Sequence, residues 1–583
     1  MCGLAAVLAF APNAAPVDRE CLNRARDAMV KRGPDGAGTW VSPDGRVGLA
    51  HRRLSILDLS DAGAQPMVDG DFAIAFNGEI YNFRTLRDEL EQAGIRFRSE
   101  SDTEVVLALY ARHGEAMLGR LRGMFALAIW DGRRRGMLLA RDGLGIKPLY
   151  VAESGGSLRA ASQVKALLAG GDVDTSPDPA GHAGFHLWGH VPEPFTLYRG
   201  IRALPPGGWL WQGLDGSRRE GRFFDVGEAM RAKPEAQPIK LRQALLESVR
   251  HHLVADVPVG LFLSAGLDST TLCALAAEAG EAERLKTVTL AFRELKGGSA
   301  DEAPLAEAVA RHYGTDHATL TVEGAEFAAC RDTLLADMDQ PSIDGVNVWF
   351  VARAARSAGL KVALSGLGGD ELFGGYDNFT RIPAMTRRLG AFGALPWLGR
   401  GFRWATAGWI GRFAPPKAAG VLELGTRTGD AYLLRRGLFM PWELPALLGD
   451  DMARAGLAAL KPRQVLAGAV EGLPSDRLAI SALETQFYMR NQLLRDADWA
   501  GMAHSLEIRV PLVDTVLLGQ VLALVAAGRA PSKADMAASA RPTQPEAILN
   551  RPKTGFFVPV AQWLGEPSLR GWARRVYAAA VKP

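Results

Sequence analysis

The sequence predicts two domains, the first of α+β and the second of α/β class. The 583 residues exceed what one hydrophobic core usually organises. In the first half, apolar strands alternate with tight turns, as in Gly123–Asp131 and Leu138–Tyr150, so paired strands are expected there. In the second half, strand, helix and strand follow one another over Leu285–Phe292, Asp301–Tyr313 and His317–Val322. That alternation is the mark of a parallel sheet wrapped in helices.

Composition narrows the function classes. Apolar residues make up 48% and charged residues 22%, as in an ordinary soluble enzyme, and a net charge of +3 with well-mixed signs argues against a nucleic-acid partner. Four cysteines without C-x-x-C spacing argue against a disulfide framework or zinc ribbon and suit a reducing, cytoplasmic setting. No apolar run reaches about 18 residues, so no transmembrane helix is expected. The opening MCGLAAVLAF lacks a basic n-region and reads as a first buried strand rather than a signal peptide.

That strand starts at Cys2. Removal of the initiator methionine, expected before a small residue, would leave Cys2 with both a thiol and a free α-amine. Such an amine, with a pKa of roughly 7.7 to 8.0, can act as the base for its own nucleophile. Downstream come RGPDG (32–36), HRRLSILD (51–58), FNGEIYN (76–82) and ESDTEVVL (100–107). Together with MCG these resemble the class II glutamine amidotransferases. The resemblance implies an N-terminal-nucleophile αββα sandwich that releases ammonia from glutamine. It assigns Cys2 to attack the side-chain amide, and Arg53 to pair with the substrate α-carboxylate through its planar fork of donors. Leu54 and Ile56 would line the same pocket. Asn77 and the Gly78 N–H would form the oxyanion hole, and Glu79 and Asp102 would hold the α-ammonium.

Farther on, DGRRRG (131–136) reads as a solvated hairpin tip, Arg141 and Lys147 as structural residues, and Ala160–Leu168 as helix. His182, His186 and His190 recur every fourth residue, but no acid or cysteine joins them at ligand spacing, so surface or interdomain histidines are expected rather than a zinc site. The prolines of Val191–Gly208 break helix and strand, which makes this stretch the expected domain crossing, with domains at 2–212 and 213–583.

The second half opens with a helix-period stretch, Ile239–Leu253, and then GLFLSAGLDST (260–270). A buried strand runs into a small, hydroxyl-rich turn and a helix start, an arrangement that holds anions. The lysine of a Walker loop is missing and Asp268 sits inside the turn, which implies a bridging metal. SAGLDST resembles the S-G-G-L-D-S loop of the ATP pyrophosphatases. A second glycine loop, Ser365-Gly366-Leu367-Gly368-Gly369-Asp370-Glu371, follows the strand Val362–Leu364. Asp268 and Asp370 would hold Mg²⁺, a hard cation that takes oxygen ligands, while Glu371 reads equally well as a helix-start acid. Ligands sit off the carboxyl ends of such strands. Leu263, Ser264, Gly266, Ser269, Leu290, Ser365 and Gly366 are therefore expected around ATP.

This loop and MAHSLEIRVPLVD (502–514) resemble the synthetase half of the glutamine-hydrolysing asparagine synthetases, and with it the resemblance spans nearly the whole chain. The synthetase half is then expected to be a nucleotide α-hydrolase-like (Rossmann-like) domain with helical additions. The resemblance implies that ATP adenylates a carboxylate, aspartate first among candidates, and that ammonia displaces AMP. It also implies that Lys553, in NRPKTGF, neutralises charge near the adenylate. Two positions depart from the family. Leu367 stands where a glutamate is common, and Trp499 where a basic residue is. Both motivate a second reading, in which a sugar acid, polysaccharide, peptide or natural-product precursor is amidated. A non-catalytic binding protein is the reading from another class, and a homodimer is the assembly entertained. The Trp- and Arg-bearing stretch Leu389–Pro416 has the composition of a basic amphipathic membrane-surface or partner-binding insert, but packing on the synthetase core is expected, because its glycines and Pro396 spoil a long amphipathic helix.

Overall fold

A computed structural model describes residues 2–232, 239–281, 285–551, 559, 562–563 and 568–581. The first half is two stacked antiparallel sheets. The first runs, edge to edge, Ile201–Ala203, Tyr150–Ser154, Ser157–Ala161, Gly3–Ala9, Val47–Arg53 and Gly36–Val41. The second runs Arg218–Arg222, Gly208–Gly213, Gly136–Arg141, Gly123–Asp131, Phe72–Ile80 and Met67–Asp69.

Strand periodicity explains why both faces are buried. Leu4, Ala6 and Leu8 point between the sheets, where they meet Ala73, Ala75, Ala126 and Ala128. Ala5 points outward, to Met29 and to Leu22 and Ala25 of helix Arg19–Asp27. On the second sheet Phe72, Ile74 and Phe76 turn outward under helices Phe83–Gln92 and Asp102–His113. The result is an αββα sandwich whose small inter-sheet residues let the layers approach closely. The DGRRRG turn is a hairpin tip, its three arginines paired with Asp71, Glu115 and Asp44. Arg141 and Lys147 are buried, and Arg141 donates to the carbonyls of Lys147, Leu204 and Gly145, a structural role.

The proline-rich stretch stays with the first half. Its tail forms the edge strand Ile201–Ala203, and the chain then contributes two more strands to the second sheet before leaving it at Arg222. Prolines sit there because edge positions and turns tolerate the missing N–H. The residues around them are buried against both halves. Leu197 N donates to Gln340 Oε1 (3.1 Å), and Arg495 donates to Val191 O.

The second half holds a five-stranded, all-parallel sheet in the order Asp316–Val322, Lys286–Phe292, Val259–Phe262, Val362–Leu364, Glu507–Arg509. Helices cover both faces. Leu245, Leu272, Leu275 and Val309 pack on Leu261 and Leu364, and on the other side Ala352, Ala355 and Ala497 pack on Val288, Ala363 and Ile508. The chain lays its first strands to one side of Val259–Phe262 and later ones to the other. The order therefore reverses between Val259–Phe262 and Val362–Leu364, the place where such sheets open a crevice at their carboxyl ends.

Candidate active sites

Cys2 leads into the first strand and is buried. Its N–H donates to Asn77 Oδ1 (3.0 Å), its Sγ lies 4.0 Å from Leu54 O, and its carbonyl accepts from Arg32 Nε (3.0 Å). Burial pushes the thiol above its ordinary pKa, so in this arrangement thiolate formation needs a local base. Asn77 and Glu79 share the strand Phe72–Ile80 with Gly78. A Cβ on Gly78 would lie 2.2 Å from Met124 O, so only glycine permits this approach of neighbouring strands. Asp102 accepts from Ile80 N (2.9 Å), and burial lifts its carboxyl to about 6.

Not every residue the sequence points to converges on Cys2. Arg53 donates to the carbonyls of Leu57, Asp58 and Ser60, a loop its guanidinium closes. Leu54 and Ile56 are buried against Val362 and Met502 of the second half. Arg32 ties the halves together through a bidentate pair with Asp498 (2.6 and 3.0 Å). Arg509, fully buried, makes a second tie. It pairs with Glu507 (2.6 Å) and reaches Glu79 Oε2 at 3.4 Å, while its own carbonyl accepts from Ser365 N (2.8 Å), at the start of the second glycine loop. Burial, and then neighbouring Glu507, raises the Glu79 carboxyl well above its usual range.

In the second half the first glycine turn is closed by its own hydroxyls. Ser264 and Ser269 Oγ are 2.9 Å apart, Gly266 N donates to Ser264 Oγ (3.2 Å), and helix Leu267–Ala276 starts there. Leu263 and Leu290 are buried beneath it, and Leu263 O accepts from Thr289 Oγ1 (2.5 Å). The second loop touches the first. A Cβ on Gly366 would lie 2.9 Å from Asp268 Cβ, and one on Gly369 would lie 2.4 Å from Asp268 Oδ1. Asp268 and Asp370 thus meet in the crevice and share the Lys533 ammonium, which pairs with Asp268 and lies 2.9 Å from Asp370 Oδ1. Two carboxylates converging on one point of positive charge are an oxygen donor set that fits a hard divalent cation. Glu371 is engaged elsewhere. It is buried, accepts from Tyr376 OH (2.9 Å), and is pushed to about 8 by burial and by Asp370.

Lys533 is the residue the sequence did not single out. Its local signal is the Ser532–Asp535 capping box, which marks a helix start and says nothing about Asp268. Lys553 lies outside the described residues. His182, His186 and His190 are buried between the halves. His182 Nδ1 is 2.7 Å from Tyr577 OH, and His190 Nδ1 is 3.2 Å from Gln492 Oε1. No group of three His, Cys, Asp or Glu side chains able to hold a metal occurs among the described residues.

Leu367 packs half-buried among apolar side chains, and Trp499 is buried with its Nε1–H donating to Asp496 (2.7 Å). A separate cavity of about 470 Å³ is lined by His190, Asp344, Lys417, Arg436, Tyr488 and Arg570 among others. The Arg436 guanidinium lies 3.7 Å over Tyr488 and 4.7 Å over Tyr376, so the cavity wall continues to Glu371 and the second loop. Part of that wall is a π-helical turn, Glu484–Leu494, a form concentrated at functional sites.

Asp496 supplies a pH prediction. Burial, then Asp344, lifts its carboxyl to about 7, so the folded protein holds a proton that the unfolded chain releases near pH 4. Stability from this group is complete below the unfolded value and is lost as pH rises toward 7. Asp496→Asn, which can still accept from Trp499, is expected to flatten the decline in urea midpoint between about pH 5 and 7. A variant with the wild-type slope would place the titration elsewhere.

Known proteins match both halves. The glutamine amidotransferase domain family matches residues 1–223, and the asparagine synthase family matches residues 240–582. Asparagine synthetase [glutamine-hydrolyzing] 1 of Bacillus subtilis is 32% identical over 99% of this chain and 90% of its own. Asparagine synthetase B of Escherichia coli is 35% identical over 66% of each, and Amidase chry2 of Gibberella zeae is 32% identical over 62% of this chain and 56% of its own. With both halves matched and the sandwich joined to a parallel-sheet domain whose glycine loops meet, the chain belongs to the glutamine-hydrolysing asparagine synthetase family.

Proposed function

We propose that this protein releases ammonia from glutamine at Cys2 and uses it to amidate a carboxylate that ATP has adenylated in the second half, with aspartate as the first acceptor to test. The observation that carries this reading is the meeting of Asp268 and Asp370 at the point where the strand order reverses. At the first site Cys2 attacks the amide carbon, its α-amine takes the thiol proton, and Asn77 with the Gly78 N–H receives the developing oxyanion. Arg53, Leu54, Ile56, Glu79 and Asp102 surround glutamine, Arg53 after exchanging its loop carbonyls for the substrate carboxylate. At the second, Ser264, Gly266, Ser269, Ser365 and Gly366 cradle the pyrophosphate, with Leu263 and Leu290 against the nucleoside, and Lys533 adds positive charge. Asp268 and Asp370 would hold Mg²⁺, which would supply charge neutralisation on the leaving pyrophosphate. Lys553 is assigned to the adenylate.

The cavity favours a second reading. Its volume of about 470 Å³ lies in the range of pockets that enclose drug-sized ligands, which is more room than a four-carbon amino acid fills. Lys417, Arg435, Arg436 and Arg570 line it. Arg436 and Arg570 pair with Glu484 and Glu443, and Lys417 and Arg435 stand with Asp344 as the only acid in the lining among the described residues, a modest excess of positive charge that suits an anionic acceptor.

The test is AMP and pyrophosphate release from ATP and glutamine, with aspartate compared against sugar acids and peptide carboxylates. Turnover with another acid and none with aspartate would replace the leading acceptor; no AMP with any acid would end the ligase reading. Asp370→Asn is expected to lower AMP formation by about 10² or more while glutamine hydrolysis at Cys2 persists.

A further inference from the structure

The segment expected to pack on the synthetase core packs through one side only. Trp404 is 86% exposed, Phe413 81% and Trp397 65%, and Phe392 and Trp409 are exposed as well. Every exposed tryptophan or phenylalanine among the described residues falls in this segment. Scattered apolar residues on a surface need no explanation, but a cluster of large aromatics does.

The inner side is held firmly. In helix Pro396–Thr406, Gly399 and Thr406 face inward, and a Cβ on Gly399 would lie 2.7 Å from Glu423 Cα. Arg403 turns in to pair with Glu423 (2.6 Å) and lies 5.1 Å over the Trp442 ring. The outward face is left with Trp397, Arg400 and Trp404, spaced i, i+3 and i+7. Trp409 and Phe413 follow in the next turns, their rings 6.0 Å apart in an edge-to-face pair.

The charge is one-sided. Residues 378–422 contain seven basic side chains, Arg381, Arg387, Arg388, Arg400, Arg403, Arg412 and Lys417, and no Asp or Glu. Arg381 and Arg403 pair with acids just outside that range, Asp377 and Glu423. Arg387, Arg388, Arg400 and Arg412 are exposed and form no ion pair among the described residues. Exposed tryptophan and phenylalanine flanked by such arginines is the composition that lies in a membrane interface, with rings at the headgroup level and guanidinium groups on lipid phosphates. A second copy of this chain is the poorer occupant, because a two-fold contact would set these same cations against one another.

We propose that residues 392–413 dock the protein on the surface of a bilayer rich in anionic phospholipid. No described helix is long and apolar enough to cross a membrane, so the association is peripheral.

The test is sedimentation of the full chain with phosphatidylcholine vesicles, alone or with about a third phosphatidylglycerol. The expected result is binding to the anionic vesicles only, weakened at least about tenfold by raising salt from about 0.05 to about 0.5 M. Trp404→Ala with Phe413→Ala is expected to weaken binding about tenfold or more, at an unchanged urea midpoint. Arg400→Glu with Arg412→Glu, the charge arm, should do the same. Equal binding to neutral vesicles, no binding to anionic ones, or wild-type binding by either double variant overturns the proposal. So does a dimer in analytical ultracentrifugation that the aromatic variant converts to monomer, which would make the patch a subunit interface.

Discussion

Cys2→Ala is expected to reduce glutamine-dependent amide formation by at least about 10³-fold while amidation driven by added ammonium stays within about twofold of wild type. The asymmetry follows from the fold. Cys2 leads into a strand of the αββα sandwich, whereas Asp268, Asp370 and Lys533 sit at the carboxyl ends of a different, parallel sheet. The substitution removes one sulfur from a small buried side chain, and the Asn77 contact, made by the Cys2 backbone nitrogen, is kept. Glutamate release and ammonium-driven AMP formation, measured on one preparation, separate the two sites. Loss of both would mean that the substitution disturbs more than the nucleophile, and retained glutaminase would remove Cys2 from that role.

Arg509→Leu is expected to destabilise the protein by about 3 to 5 kcal/mol. The guanidinium is fully buried and stands between Glu507 and Glu79 while donating to the carbonyls of His252 and Val254. Leucine fills part of the volume but takes away the cation paired with Glu507, and an ionised carboxylate left buried without its partner beside Glu79 accounts for most of the cost. Replacing Glu507 by Leu in the same chain should recover part of the loss, because it removes one of the two acids. Urea midpoints of the single and double variants measure both effects. A single-variant loss under about 1 kcal/mol would show that water or backbone shifts reach this site. Arg509 also joins the halves, since its side chain approaches Glu79 of the sandwich and its backbone carbonyl holds Ser365 at the second glycine loop. The single variant should therefore lose both activities along with its stability.

Much of the candidate site was legible because its signals are local. A cysteine after the initiator methionine, a strand running into a small hydroxyl turn, and a glycine loop ending in paired acids each need only a few adjacent residues to be read. The strand Val362–Leu364 falls where its apolar run ends, and helix Leu267–Ala276 starts at the turn, as a buried strand and an N-terminal anion site require. The prolines of 191–208 read ambiguously because a proline reports a missing N–H, which an edge strand and a linker share. Leu389–Pro416 packs on the core as expected, but through one face only. Its glycines weaken helix propensity on paper, but Gly399 is where the helix presses against its neighbour, and that leaves its aromatics on the far side.

By itself, then, the order of residues determined the two-part plan, the cysteine that leads the first strand, and the two acids carried by glycine loops, because periodicity and turn chemistry act over a handful of positions. Tertiary structure alone decided that Asp268 and Asp370 share Lys533, that Arg509 stands between the halves, that a cavity opens beside Arg436, and which aromatics face solvent. Each of those depends on side chains far apart in sequence that only strand order and helix packing bring within reach of one another, so no local pattern encodes them.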